Sequence, residues 1–302
     1  MRGMINTAIC FGLLLAATTS RAELPAHLTA ATDLWEDLVQ DHVREDGGVD
    51  YQGLLMDRDR LEAFINAHDE LDFAGLSDAE KTAVGINLYN AGMMLNIFRH
   101  ADARGFGVED PEFLDLRVDQ IEVPGGNIWN GSYTVPLGGI QVTLDNIEHD
   151  LIRGEANSGV LAQWKVKTLD ARIHAAVNCA ALSCPPVRRQ AYRAATLDAM
   201  LTENMLVWLN QPDQFRQAST STLQANSIVW WYYSDFEEYG IRQGFAGAGS
   251  WLATYVDQEK ADGPWQKDLL ETEFNGKSLI SLTFSRSFRF EYDWQINDIR
   301  NK

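Results

Sequence analysis

Apolar side chains recur every three to four residues in the first hundred residues of the chain, a spacing that predicts amphipathic helices. One helix is predicted over residues 28–43, and it should end before the glycine pair at 47–48. A second is predicted around Leu61, Phe64 and Ile65. The chain therefore begins its folded part with helices.

A third helix is predicted over residues 78–100, because Ser77 and Glu80 have the spacing of a capping box. Apolar residues surround this helix on most of its circumference, which indicates that it is central and buried. Asn87 and Asn90 then lie in or beside the core, where an amide must find hydrogen-bond partners. They either fix neighbouring backbone or line a site, and the first role is the commoner one.

Short apolar runs alternate with glycine-rich turns between residues 120 and 145, which predicts hairpin strands. Thr143 is the expected N-cap of a following helix that carries Glu148 and His149 on its first turns. These two titratable side chains are candidates for the lining of a site.

Strands are predicted further along by strict alternation of apolar and other residues. Residues 171–178 should form one strand with His174 and Asn178 on the same face, and residues 288–296 should form another, with a helix at 197–209 between them. Helices that cluster early and strands that follow predict an α+β fold, with a mixed or antiparallel sheet packed on the buried central helix.

The first 22 residues have the pattern of a cleavable signal peptide. Arg2 precedes a short apolar run from Ala8 to Thr19, and Ser20-Arg21-Ala22 places small residues where cleavage would occur. A membrane-spanning helix needs about 20 apolar residues, more than this run supplies. We expect cleavage near Ala22, a single globular domain over residues 23–302, and a periplasmic or secreted protein with no membrane span.

The net charge of −18 excludes partners that require a cationic surface, so nucleic acid is not expected as a ligand. A peptide, a glycan or a small molecule stays open as partner. The acidic surface is more simply explained by solubility than by a specific recognition site.

Cys179 and Cys184 lie five residues apart in a turn that ends at Pro185-Pro186. In an oxidising compartment such a pair can form a small-loop disulfide, and structural cysteines outnumber nucleophilic ones. The spacing is that of neither a redox motif nor a zinc ribbon.

Residues 244–250 are rich in glycine but lack the lysine of a phosphate-binding loop, and no cofactor is predicted.

The alternative is that Cys179 is a nucleophile. A thiol requires a nearby base to ionise at neutral pH, and His174 or His149 could supply it. Asn178 or Asn90 could orient that histidine. Such an enzyme would be a cysteine-dependent hydrolase or acyltransferase acting on amide or ester bonds.

A metal site is the least favoured choice. His149, His174, Glu148 and the two cysteines carry suitable ligand atoms, but none has zinc-ligand spacing. No metal is predicted.

Several of these segments, taken in order, resemble the family called domain of unknown function 547. The segments that carry the resemblance are Asn87-Leu88-Tyr89-Asn90-Ala91, Thr143 to His149, Arg172 to Cys179, Ser183-Cys184-Pro185-Pro186 and Tyr292-Asp293-Trp294. His174, Asn178, Cys179 and Cys184 match the family motif residue by residue.

The resemblance implies an exported bacterial protein with a distant likeness to papain-like and transglutaminase-like folds. That likeness favours the thiol hypothesis for Cys179. Papain-like enzymes, however, place their cysteine at the start of the central helix, upstream of the histidine, whereas the central helix here carries Asn87 and Asn90. A catalytic centre in this chain would therefore be rearranged around Cys179.

Overall fold

The computed structural model describes residues 24–73, 75–260 and 262–302. The predicted signal peptide lies outside this range. Within it the fold is α+β, as predicted, with the helices dominant. No helix among the described residues combines the length and the apolar character needed to cross a membrane.

The α-helices are α1 (Ala26–His42), α2 (Tyr51–Met56), α3 (Arg58–Asn66), α4 (Asp78–Arg104), α5 (Pro111–Leu114), α6 (Leu161–Trp164), α7 (Leu197–Leu209), α8 (Ser227–Trp231), α9 (Tyr233–Arg242), α10 (Ala248–Leu252), α11 (Gly263–Glu273) and α12 (Leu279–Thr283). Short 3₁₀-helices span Val118–Gln120, Ala171–Ala175 and Ala253–Tyr255, and a π-helix spans Asn146–Ile152.

The strands form three small sheets. They are β1 (Glu122–Val123), β2 (Gly126–Asn127), β3 (Val135–Leu137), β4 (Ile140–Val142), β5 (Phe215–Ser219), β6 (Thr222–Asn226) and β7 (Phe288–Glu291). The pairs β1–β2 and β3–β4 are antiparallel hairpins, and the β3–β4 turn has positive φ at both Gly138 and Gly139. The third sheet has the order β5-β6-β7, with β5 antiparallel and β7 parallel to β6.

Helix α4 is the central helix that the sequence predicts. The Ser77 hydroxyl accepts a hydrogen bond from the Glu80 amide, and the Glu80 carboxylate accepts one from the Ser77 amide, which completes the capping box. The helix ends at Gly105, which adopts a left-handed conformation with φ of 77°. Its residues from Glu80 to Phe98 are all buried.

Two apolar clusters make up the core. The first surrounds α4 and contains side chains of α1, α3 and both hairpins. The second lies between α7, the helices α8 to α12 and the three-stranded sheet. Helix α7 joins them, since Leu201 belongs to the first cluster while Met205 and Trp208 belong to the second.

The prediction of a strand over residues 171–178 is wrong. Residues 171–175 form a 3₁₀-helix, and every residue from 171 to 178 is buried, so the alternation in the sequence does not separate a wet face from a dry one. Side-chain amides satisfy the backbone carbonyls here instead of a neighbouring strand: Asn204 donates to Ala175 and Asn90 donates to Ala176.

The predicted strand over residues 288–296 is shorter than expected. Regular pairing stops at Glu291, and the remainder makes isolated bridges, such as that between Ala181 and Ile296. Of the hairpin strands predicted between residues 120 and 145, residues 128–134 contain no strand, whereas the β3–β4 hairpin after them is confirmed. The helix predicted after Thr143 is present as a π-helix, and the Thr143 hydroxyl accepts from the Asn146 amide as an N-cap.

Candidate functional site

Cys179 and Cys184 form a disulfide that closes a six-residue loop. The Tyr292 hydroxyl lies 2.9 Å from the Cys179 sulfur and 3.0 Å from the Cys184 sulfur, so the phenol donates its proton toward the bonded pair. Cys184 is buried, whereas Cys179 is partly exposed. In this state the described part of the chain presents a sulfur at the Cys179 position but no free thiol.

Asparagine side chains fix the start of this loop. The Asn178 amide nitrogen donates to the Pro185 carbonyl at 2.7 Å, and its oxygen accepts from the Ala180 amide at 2.8 Å. Ala180 has φ of 61°, a left-handed conformation that is uncommon for a residue with a side chain. The Asn90 oxygen in turn accepts from the Asn178 backbone amide at 2.8 Å. These asparagines therefore shape the loop and do not contact an imidazole.

Asn87 has the same kind of role one turn earlier on α4. Its amide nitrogen donates to the Tyr192 carbonyl at 2.8 Å, and its oxygen accepts from the Tyr192 amide at 2.9 Å. These two hydrogen bonds take the place of a backbone partner for the buried residue Tyr192. Asn87 is thus bonded to main chain and not to the pocket described below.

His174 is paired with an aspartate that the sequence did not single out. Its Nε2 lies 2.8 Å from the Asp235 carboxylate, and its ring stacks on Tyr232 with centroids 3.8 Å apart. Burial lowers the pKa of His174 and outweighs the opposing effect of Asp235. The imidazole is therefore neutral, with its proton on Nε2, and its Nδ1 has no hydrogen-bond partner in the described structure.

Arg153 supplies the positive charge next to this pair. Its guanidinium donates to both oxygens of Asp235, at 2.8 and 3.0 Å, and its Nη1 lies 2.6 Å from His149 Nδ1. Burial alone would raise the pKa of Asp235, but the hydrogen bonds from His174 and Arg153 lower it to about 2. Asp235 is accordingly an ionised carboxylate that orients the imidazole and the guanidinium together.

The π-helix brings Glu148 to the opposite side of the same space. Its carboxylate accepts a 2.6 Å hydrogen bond from the Tyr232 hydroxyl, and burial, together with the Glu148 charge, raises the pKa of Tyr89. Burial, reinforced by the Glu148 charge, raises the pKa of Tyr232, so the phenol stays protonated and donates. Single π-helical turns are frequent at functional sites because the extra residue redirects side chains.

These elements enclose a pocket of about 160 Å³. Its walls are mostly aromatic, and its polar groups are acidic residues, histidines and one sulfur. The lining residues are Tyr89, Trp129, Asp145, Glu148, His149, His174, Val177, Cys179, Ile228, Trp231, Tyr232, Tyr292 and Trp294. A small, largely apolar cavity with a few convergent polar groups is the usual form of a binding or active site.

The structure thus divides the predicted residues into two groups. Glu148, His149, His174 and Cys179 all line the pocket. Asn87, Asn90, Asn178 and Cys184 lie behind its wall, where they hold the loop and the buried backbone.

Sequence reasoning missed Asp235, Arg153 and the aromatic residues Tyr232 and Tyr292. The aromatic run Trp230-Trp231-Tyr232-Tyr233 was a local signal, because aromatic residues in a row can line a pocket as well as fill a core. Asp235 and Arg153 are separated by 82 residues and carry no local pattern.

Two other depressions lie on the described surface. The larger, of about 580 Å³, is bordered by charged residues such as Arg44, Glu45 and Arg188. Another, of about 390 Å³, lies beside Asp213 and Asp293. Neither brings together an oriented histidine, a sulfur and aromatic walls, so the pocket around His174 is the candidate site. No group of three or more His, Cys, Asp or Glu side chains in the described ranges could hold a metal ion.

Comparison with known proteins gives a family match for one part of the chain. No curated protein matches the chain, and no solved structure matches it. The pocket draws Glu148, His149, His174 and Cys179 from the segment 73–209, whereas Tyr232, Tyr292 and the orienting Asp235 come from beyond it. That segment, from just before α4 to the end of α7, matches the model of the family described as Protein of unknown function, DUF547, which supports the family resemblance for this part of the chain.

Proposed function

We propose that this chain is an exported binding protein, periplasmic or secreted, whose aromatic pocket receives a small ligand or part of a larger one. The observation that carries the proposal is the disulfide between Cys179 and Cys184 in the pocket wall. With the sulfur bonded, the pocket contains no free nucleophilic thiol. The Cys179–Cys184 bond then serves to hold Tyr292 and the loop in place.

The arrangement of the polar groups supports binding over turnover. His174 is held by Asp235, His149 by Arg153, and Tyr232 by Glu148. Each of these hydrogen bonds exists before any ligand arrives, so the walls are preorganised. Preorganisation lowers the entropy lost on binding and favours affinity in a small pocket.

Export is supported by two independent features of the sequence. Residues 1–22 have a signal-peptide pattern, and the cysteine pair is suited to an oxidising compartment, where disulfides persist. In the cytosol the same pair would be kept reduced.

A second candidate function is favoured by one observation: Cys179 and His174 line the same pocket, and Asp235 forms a hydrogen bond with His174 from behind the pocket wall. In a reduced protein, the Cys179 thiol could transfer its proton to the free Nδ1 of His174 and attack an amide or ester carbonyl. The imidazolium would then protonate the leaving amine or alcohol, and water would hydrolyse the thioester. Asp235 would stabilise the imidazolium.

A thiol count separates the two functions. Protein purified without reductant from the compartment it is exported to is alkylated before and after reduction, and the labelled cysteines are identified by mass spectrometry. The binding proposal expects neither Cys179 nor Cys184 to label before reduction. Rapid labelling of Cys179 in the unreduced protein would refute that proposal and would favour the thiol enzyme.

Ligand binding itself is tested on the unreduced protein with a library of small fragments. Tryptophan fluorescence is a suitable readout, because Trp129, Trp231 and Trp294 all line the pocket. The proposal expects at least one fragment class to change the emission in a saturable way. The Trp231→Leu variant should lose most of that change, and a library without a single saturable response would refute the binding function.

A further inference from the structure

The pocket contains acidic side chains and an unused hydrogen-bond acceptor. Asp145 and Glu148 supply carboxylates, and His174 supplies the unused lone pair of Nδ1. None of the lining residues among those described is a lysine or an arginine. The pocket therefore has the chemistry to receive donors and positive charge.

His174 provides the most specific of these acceptors. Its side chain is 0% exposed, its Nε2 proton is committed to the ionised Asp235, and Nδ1 is left without a partner. A buried nitrogen with no hydrogen bond destabilises the folded protein. A ligand that donates one hydrogen bond to Nδ1 would remove that cost.

Glu148 provides a buried negative charge. The residue is 5% exposed, and its carboxylate accepts a hydrogen bond from the neutral phenol of Tyr232. No basic side chain of the described structure forms a salt bridge with it, because Arg153 is directed to Asp235 and Glu155. A buried carboxylate without a cation is unfavourable and gains from the arrival of one.

Asp145 reinforces this charge. It lines the same pocket and interacts electrostatically with Glu148, and burial raises its pKa. His149 is a basic group next to it, with its Nε2 3.9 Å from the carboxylate. Asp145 and Glu148 are three residues apart in the chain, and two carboxylates that repel each other both gain from a shared cation.

The remaining walls suit the hydrocarbon part of a cation. Trp231 and Trp294 stack with centroids 5.4 Å apart, Tyr292 lies 4.4 Å from Trp294, and Trp129 completes the row at 5.8 Å from Trp294. Aromatic faces attract ammonium groups and pack well against methylene chains. The net charge of the whole chain, −18, also favours the approach of cations.

We propose that the pocket binds a primary alkylammonium group, with the ammonium between Glu148 and Asp145, one N–H donated to Nδ1 of His174, and the alkyl chain against Trp231 and Trp294. The proposal rests on the binding function argued above. A cavity of about 160 Å³ accommodates a short alkylamine or the end of a lysine side chain. Both sources present the same group, and the test must separate them.

The test is calorimetric titration of the unreduced full-length protein with matched probes. These are n-butylammonium, neutral 1-butanol, tetramethylammonium and the peptide Gly-Lys-Gly. The proposal expects n-butylammonium to bind roughly tenfold or more tightly than 1-butanol, since a charge-assisted hydrogen bond contributes about 1.5–3 kcal/mol. Tetramethylammonium, which has no N–H, should bind less tightly than n-butylammonium.

A peptide preference decides the source of the ammonium. If Gly-Lys-Gly binds more tightly than n-butylammonium, the ligand is a lysine side chain of a peptide. If it binds less tightly, the ligand is a free amine. Either result supports the ammonium site, provided that 1-butanol is the weaker ligand.

Variants link the affinity to the named groups. Glu148→Gln should weaken n-butylammonium binding by roughly ten- to a hundredfold and leave 1-butanol binding unchanged. Glu112→Gln, which removes an exposed acidic residue of α5 with no ion pair in the structure, is the matched control for total charge and should change neither. If Glu148→Gln does not fold, Asp145→Asn replaces it, and the probe series on the natural protein still decides.

Equal affinity for n-butylammonium and 1-butanol would overturn the ammonium site while leaving the pocket as a binding site for neutral ligands. An absence of binding by all four probes would also overturn it. In that case the fragment library described above shows separately whether the binding function fails as well.

Discussion

Replacing Asp235 by asparagine should lower the stability of the protein in a pH-dependent way. Asp235 accepts hydrogen bonds from His174 Nε2 and from two nitrogens of Arg153, and its side chain is 11% exposed. Asparagine keeps the shape but removes the charge, and its amide nitrogen would face one of these donors. Glu155, which is more exposed, would then be the remaining carboxylate that pairs with Arg153.

The magnitude follows from the pKa of Asp235, which is lowered from its ordinary 3.8 to about 2. At about 1.4 kcal/mol for each unit of pKa, the charged form is stabilised on folding by at most roughly 2.5 kcal/mol. We expect about 2 kcal/mol, because water screens part of the interaction. This stability is fully present above pH 3.8 and is lost as the pH falls through about 2.

Urea unfolding of the natural protein and of Asp235→Asn at pH 7 and pH 3 measures this contribution. The difference in the free energy of unfolding should be about 2 kcal/mol at pH 7 and about half of that at pH 3. Asp213→Asn, which changes an exposed aspartate, is the control and should alter neither value. A difference that is the same at both pH values, or smaller than about 0.5 kcal/mol at pH 7, would refute the assignment of Asp235 as the charged anchor.

Three further predictions concern the walls of the pocket. Asn90→Ala should reduce the free energy of unfolding by about 2–4 kcal/mol, because the Ala176 carbonyl and the Asn178 amide would lose their buried hydrogen-bond partner. Asn66→Ala, which changes an exposed asparagine, should have little effect in the same denaturation experiment. Reduction of the Cys179–Cys184 bond should cost about 2 kcal/mol, the value for a loop this short, and an unchanged unfolding curve in reductant would contradict it. Burial lowers the pKa of His174, so the midpoint of its NMR titration should lie below the ordinary 6.5. As the pH falls below 6.5, the unfolded chain binds the proton first, and the contribution of His174 to stability is lost. A midpoint above 6.5 would contradict this prediction.

Elements whose signals are local were predictable from the sequence. The capping box at Ser77 and Glu80 predicted the start of α4 at Asp78, and the apolar pattern predicted α7 over residues 197–209. A cap and a helical face are both determined by residues within one or two turns. Burial of Asn87 and Asn90 followed from their place on a helix that is apolar on nearly all sides.

The segment before the disulfide was mispredicted because its pattern has two readings. Alternation of small apolar and polar residues over 171–178 suggests a strand, but a fully buried segment does not need two different faces. The side-chain amides of Asn90 and Asn204, which are distant in the sequence, donate hydrogen bonds to the backbone carbonyls of this segment and stabilise its conformation. No local rule identifies such partners.

The residues named from the sequence make up only part of the candidate pocket, again because long-range contacts leave no local pattern. Glu148, His149, His174 and Cys179 were named, and all four line the pocket. Their partners come from distant segments: Asp235 lies 61 residues from His174, and Tyr292 lies 113 residues from Cys179. A single sequence gives the chemistry of a residue but not the identity of a contact at that separation.

The connection between α4 and the pocket suggests why buried asparagines occupy the central helix. Asn90 bonds to the backbone of Ala176 and Asn178, and this segment leads from His174 to Cys179. The position of both pocket residues is thereby tied to the most buried helix of the fold. A ligand would then meet walls whose geometry is set by the core, so little ordering entropy would be lost when it binds. Loss of these hydrogen bonds should weaken ligand binding, even though neither Asn87 nor Asn90 lines the pocket.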